Sequence, residues 1–295
     1  MGCGTVAADG ARKYTLPMIL SFGPSSEAGS GTALALSGLS LAALLCYAAA
    51  ALPGERFSSG LRVALLLGWL AQGAAIVVDI AGIGASSSGA RFGFAPALST
   101  TLWLVLAVYG LESRFIPLHG VRRRLALAGC AVIALAWVFP GQLHPQVASN
   151  WAPLHWLLGI ASYGLFGVAV LHAALMNRTE RLLRRSPGAP GPIAGVPLLR
   201  LERLTYRFVA AGFGVLSAAI LLGAWFASPW RWDHKTVFSV LGWLVFAALL
   251  VGRKTFGWRG PQATRWLYVG TGLLLLAYVG SRFVFEVLLH RSPTA

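Results

Sequence analysis

Ser228-Pro-Trp-Arg-Trp-Asp-His-Lys235 runs directly into Thr236-Val-Phe-Ser-Val-Leu-Gly-Trp-Leu-Val-Phe-Ala-Ala-Leu-Leu-Val-Gly252. The second part is long enough, and apolar enough, to cross a bilayer as a helix, which needs about 17–25 such residues. The first part is an unusual entry to such a helix. Two tryptophans offer flat, polarisable faces with an indole N–H each, suited to the membrane–water interface or to a planar ligand. Arg231 and Lys235 add two cations, and Asp233 stands where a helix-capping carboxylate would.

Working outward, the same kind of apolar run recurs through the chain. Eight spans are expected, at about 32–52, 61–84, 95–111, 121–139, 153–176, 205–227, 236–252 and 264–289. The composition agrees, at 57% hydrophobic and 11% charged over 295 residues, far from that of a soluble globule. Strands of an outer-membrane barrel would alternate polar and apolar residues, and these runs do not. The expectation is an all-α membrane protein, a polytopic bundle of about eight transmembrane helices.

A net charge of +15 would point to nucleic acid in a soluble protein. Its placement gives another reading. The loops after the first, third, fifth and seventh spans hold 17 of the 24 Lys and Arg residues, among them Arg122 to Arg124, Arg178, Arg181, Arg184, Arg185, Arg253, Lys254, Arg259 and Arg265. Positively charged loops stay in the cytoplasm, so both termini are expected outside and the charge sets topology. Cys3, Cys46 and Cys130 are scattered, without the spacing of a redox pair or a zinc site. Residues 1–31 are expected to form a flexible N-terminal segment ahead of one transmembrane domain at 32–290, and 187–197 a Pro/Gly connector.

Gln72 and Asp79 are polar at membrane depth, where such residues serve either function or helix-to-helix bonding. Trp151-Ala-Pro-Leu-His155-Trp156 opens the fifth span, with Ser162 and Tyr163 about two turns deeper. A His near a helix end is commonly solvated or capping, and equally it is the commonest metal ligand. It stands on the same expected face as the Trp230–Trp232 loop.

The pattern Trp230-Arg-Trp-Asp-His-Lys-x-x-x-Ser-x-x-x-Trp243, the His155-led span with its Ser-Tyr pair, Gly257-Trp-Arg-Gly260 and Tyr278-x-Gly-Ser-Arg282 together resemble the tryptophan-rich cytochrome c assembly proteins, the CcsA, CcmC and HemX group. The resemblance covers roughly 154–290 and is nearest the eight-span HemX/YpjD-like branch. It implies a multi-pass protein of the bacterial inner (plasma) membrane that presents or binds haem on its outer side during cytochrome c maturation. The implied partners are haem, other maturation proteins and the bilayer, with no nucleic acid. The implied site is haem against Trp230 and Trp232, its iron bound by His155 and His290, its propionates paired with Arg231 and Lys235, and Asp233 orienting a neighbour or capping the seventh helix.

This chain departs from the fuller signature: His234 stands for a proline, Thr236 for a glutamate, and Val251 for the His of an inner-leaflet site. No acid/base pair or nucleophile constellation is present, so a stand-alone enzyme is not expected. A non-catalytic assembly scaffold is the second reading, favoured by the shortened signature. A small-molecule permease is the third, and the scarcity of buried charge and of an internal repeat counts against it.

Overall fold

A computed structural model describes residues 30–53, 58–81, 89–114, 120–145, 151–185, 198–226 and 232–284. The elements in chain order are α1 (Ser30–Ala50), α2 (Ser58–Ala81), β1 (Gly89–Phe92), α3 (Phe94–Glu112), α4 (Val121–Val138), β2 (Gln142–Pro145), α5 (Ala152–Arg185), α6 (Leu198–Phe226), α7 (His234–Phe256) and α8 (Gly260–Leu275). The last helix continues through a π turn at Leu276–Gly280 into α9 (Ser281–Phe283). The expected flexible segment at 1–31 lies almost wholly outside the described residues.

Six of these helices (α1, α2, α3, α5, α6 and α7) are long and apolar enough to cross a membrane, against the eight expected. The two that fall short have visible reasons. α4 spends its first turn on Arg122, Arg123 and Arg124, which leaves a short apolar remainder. α8 ends after 16 residues because the π turn interrupts its hydrogen-bond ladder. Within the six spans 22% to 39% of residues are buried, and apolar side chains such as Leu34, Leu66, Val77, Leu157 and Leu244 are exposed, available for contact with lipid. The bundle is all-helical as expected; between its helices one short pair, β1 and β2, runs antiparallel with Gly89 opposite Pro145 and Phe92 opposite Gln142.

Two packed clusters form the interior. One gathers Tyr47, Val105, Leu106, Leu125, Ile133, Val168 and Leu175, largely from α1–α5. The other gathers Phe166, Val209, Phe246, Leu267 and Leu274 from α5–α8. α5 packs most extensively on α6 and reaches α3 as well, joining the halves. Lipid gives helices no hydrophobic reason to associate, so close packing and interhelical hydrogen bonds must do it.

Both devices are visible. The fully buried Tyr47 ring lies between α2 and α4, where a Cβ on Gly68 or Gly129 would come within 2.8 or 2.7 Å of it. Its hydroxyl donates to Gln72 Oε1 at 2.6 Å, and Gln72 Nε2 donates to the carbonyl and hydroxyl of Ser99 at 3.0 and 2.9 Å. α2 and α3 are further joined by Trp69 and Trp103, stacked at 4.9 Å, each indole donating to the other's carbonyl at 3.0 Å. Gln72, a sequence candidate for a ligand role, is thus fully engaged in helix-to-helix bonding.

Candidate functional site

The principal cavity has a volume of about 440 Å³ and lies at the end of the bundle opposite the arginine-rich termini of α4 and α5. Every one of the eight long helices contributes to its wall. The wall is mostly apolar, with polar groups at chosen places: Gln72 and Asp79 from α2, Ser99 and Thr100 from α3, and His155, Ser162 and Tyr163 from α5. Lys235 from α7 and Tyr278 and Arg282 from the last helix complete the polar set. A largely apolar hollow with a few convergent polar groups is the usual form of a ligand site.

His155 is held in a defined state. Its Nδ1 lies 2.9 Å from the carbonyl oxygen of Ala219 on α6. A carbonyl only accepts, so Nδ1 is the donor in this contact, and the ring's orientation is fixed by it. This is how ligating histidines are oriented in metal and haem sites. The ring sits where α6 has no side chain: a Cβ on Gly223 would lie 2.9 Å from its Cε1 and 3.2 Å from Nδ1. Ala219 and Gly223 are one helical turn apart, so one supplies the acceptor and the other the room.

Lys235 and Arg282 bring two cations to the same cavity, one from α7 and one from the far side of the π turn. Arg282 is 7% exposed, a guanidinium at membrane depth. The π turn inserts an extra residue into the helical repeat, and past it the polar residues Tyr278 and Arg282 line the cavity. The Tyr163 hydroxyl donates to the carbonyl of Leu274 just before this turn, tying it to α5.

The other sequence candidates are distributed differently. Asp233 is the N-cap of α7: its carboxylate accepts from the Thr236 amide and the Thr236 hydroxyl, both at 2.8 Å. Burial acts to raise its pKa, but these bonds together with Lys235 and His234 outweigh that and hold it below the ordinary carboxylate value. Trp232 is 69% exposed and is not part of the cavity wall, where the neighbouring tryptophans are Trp156 and Trp137. Trp230, Arg231 and His290 lie outside the described residues. Arg282 was visible in sequence as a charge within an apolar run, the signal that should have placed it in the site. Tyr278 stands in the same Tyr278-x-Gly-Ser-Arg282 stretch, and Trp137 carries no mark in the sequence.

The residues present fit haem. An oriented imidazole, two cations for carboxylates, and aromatic and aliphatic walls for a porphyrin are the donor set such a ligand needs. Among the described residues no group of three or more His, Cys, Asp or Glu gathers to hold a bare metal ion. Haem brings its own equatorial donors and asks the protein only for axial ones.

A model of the cytochrome C assembly protein family matches residues 32–289. The chain is similar to the cytochrome c biogenesis protein CcsA of Synechococcus sp. (strain JA-3-3Ab), 35% identical over 109 residues, covering 33% of this chain and 31% of that one. It is 32% identical over 149 residues to the CcsA protein of Chlamydomonas reinhardtii, covering 49% and 41%. With that of Gloeobacter violaceus it shares 26% identity over 245 residues, covering 62% and 72%. The chain thus spans less than half the length of the first two relatives. No solved structure matches it.

Proposed function

The chain belongs to the cytochrome c assembly protein family, and we propose that it is an integral membrane haem-handling protein acting in cytochrome c maturation. The observation that carries this reading is His155, which lines the cavity with its Nδ1 proton engaged by the Ala219 carbonyl. In this reading His155 Nε2 is the axial ligand, with His290 as the second. Lys235 and Arg282 pair with the propionates, and Arg231 assists from the adjoining loop. Trp230 and Trp232 contribute flat aromatic faces for the porphyrin, and Asp233 acts indirectly by fixing the start of α7. As cargo, haem supplies the iron porphyrin that a maturing cytochrome takes up; the chain binds, orients and shields it, and no bond-forming step is assigned to its side chains.

The proposed topology has eight spans in a domain at 32–290, with α4 and the α8–π–α9 helix completing the six longer ones. Both termini and the His155 cavity lie outside, and the arginine-rich ends inside, in a bacterial inner membrane of the HemX-like kind. The charge distribution supports this, since 17 of the 24 Lys and Arg residues fall on one side. A scaffold reading has one specific support: Trp232 is exposed rather than turned into the cavity, as an anchor for a partner or for the membrane interface would be. Other maturation proteins are partners in either reading.

The test is the visible spectrum of the detergent-purified protein, oxidised and reduced, beside His155→Ala and His290→Ala. A sharp Soret and α-band lost in His155→Ala is expected. A colourless protein that also takes up no added haem would leave the scaffold.

A further inference from the structure

A second groove lies at the other end of the bundle, remote from His155. α5 is 34 residues long, about 50 Å, whereas a hydrocarbon core is about 30 Å thick. Its last turns therefore project past the apolar layer, and there they run beside the first turns of α8. Between them is a groove of about 350 Å³ lined by Asn177, Glu180, Arg181, Arg184, Arg265 and Tyr268, with Pro261 and Thr264. Three arginines meet a single acid among these lining residues, and that acid is already used: Arg184 donates to Glu180 at 2.7 Å, one turn away. Asn177 Nδ2 donates to the Tyr268 hydroxyl at 3.4 Å across the groove, so donors from both helices border it. The start of α8, with Pro261 in its first turn, adds the positive end of a helix dipole.

The surroundings separate a lipid from a soluble anion. Trp266, next in sequence to Arg265, stacks on Trp258 at 5.9 Å, an aromatic pair of the kind that marks headgroup depth. Farther along α8 and into the π turn, Val269 and Leu276 are each 51% exposed, an apolar track leading away from the arginines. A cationic recess at headgroup depth with a greasy track behind it matches one phosphodiester and its acyl chains.

We propose that the groove between the end of α5 and the start of α8 is a binding site for an anionic phospholipid, with Arg181 and Arg265 on the phosphate. The acyl chains lie along Val269 and Leu276. Bound there, one lipid joins α5 to α8 at their shared end, independently of any occupant of the His155 cavity.

The experiment compares the thermal unfolding of the full chain in nanodiscs of phosphatidylcholine alone, of phosphatidylcholine with phosphatidylglycerol, and of phosphatidylcholine with added inorganic phosphate. Phosphatidylglycerol is expected to raise Tm by about 2–4 °C, and inorganic phosphate to leave it unchanged. The R181Q/R265Q double variant is expected to lose most of the rise, while R123Q/R124Q, on α4, keeps it. Absence of a rise over phosphatidylcholine overturns the proposal, whatever the variants do. So does an equal rise with inorganic phosphate, which would make this a soluble-anion site. Equal loss in R123Q/R124Q would also overturn it, in favour of a diffuse surface charge.

Discussion

Replacing Gly223 by alanine tests how His155 is held. The new methyl carbon would stand 2.9 Å from Cε1 and 3.2 Å from Nδ1 of the imidazole, whereas carbon–carbon contacts are comfortable at about 3.5–4.0 Å. The ring must retreat by about 0.6 Å or more. Retreat draws Nδ1 from the Ala219 carbonyl, now 2.9 Å away on the preceding turn of α6. Loss of that hydrogen bond is worth about 1 kcal/mol, and overpacking costs about 1–3 kcal/mol where the neighbour cannot move freely. Part of the strain relaxes into the cavity, which leaves about 1–2 kcal/mol against a ligated imidazole. That is a weakening of about 5- to 30-fold in haem Kd, read by Soret titration. Gly214→Ala on the same helix is the control, because a Cβ there meets nothing within 4 Å; its affinity should equal wild type. Wild-type affinity and an unaltered spectrum in Gly223→Ala would refute the assignment of His155 as a ligand oriented by α6.

Three further outcomes follow from named contacts. Gln72→Leu strands the Tyr47 hydroxyl and Ser99 inside the bundle and should cost about 1–2 kcal/mol in an SDS-unfolding titration. Asp233→Ala removes two hydrogen bonds to Thr236 and should cost about 1 kcal/mol of stability, with the haem spectrum unchanged. Since the folded pKa of Asp233 lies below its unfolded value, its contribution is present above about pH 4 and is lost as pH falls through the folded value; the wild-type minus Asp233→Ala difference in Tm should shrink accordingly. His172→Leu breaks the buried 2.7 Å contact between Nε2 and Glu112 Oε2 and should cost about 3 kcal/mol. Glu112→Gln keeps an acceptor for that ring and should cost about 1 kcal/mol in the same titration.

Much of the architecture could be read from the order of residues, because lipid-facing helices need length and apolarity, which are local properties. Eight spans are expected on that basis and six of the helices meet it; the arginines that open α4 shorten its apolar stretch, an effect the run of apolar residues alone does not show. His155 and Lys235 were also legible: each stands near the end of its span, so its depth follows from counting. Arg282 was harder. Its approach to the cavity passes through a π turn, and any reading that assumes 3.6 residues per turn puts it in the wrong phase. The role of Gly223 was invisible, since an absent side chain announces nothing until the His155 ring is placed against it. The pairing of β1 with β2 joins stretches some fifty residues apart in sequence, with no local pattern to signal it. Asp233 followed the ordinary rule that a carboxylate before a helix caps it, and Trp232 shows that an aromatic beside a site need not turn into it.

The widened turn at Leu276–Gly280 makes the chemistry of the cavity depend on a tally rather than on identities. Each residue turns a helix by about 100° while advancing it only about 1.5 Å. Removing one residue from this turn would scarcely shorten the span, yet it would swing Arg282 a quarter-circle or more toward a neighbouring helix or the lipid. Point substitutions across 276–280 leave that angle alone. A single-codon deletion there would therefore take one of the two cations out of the cavity, leaving Lys235, while keeping the chain's length in the membrane.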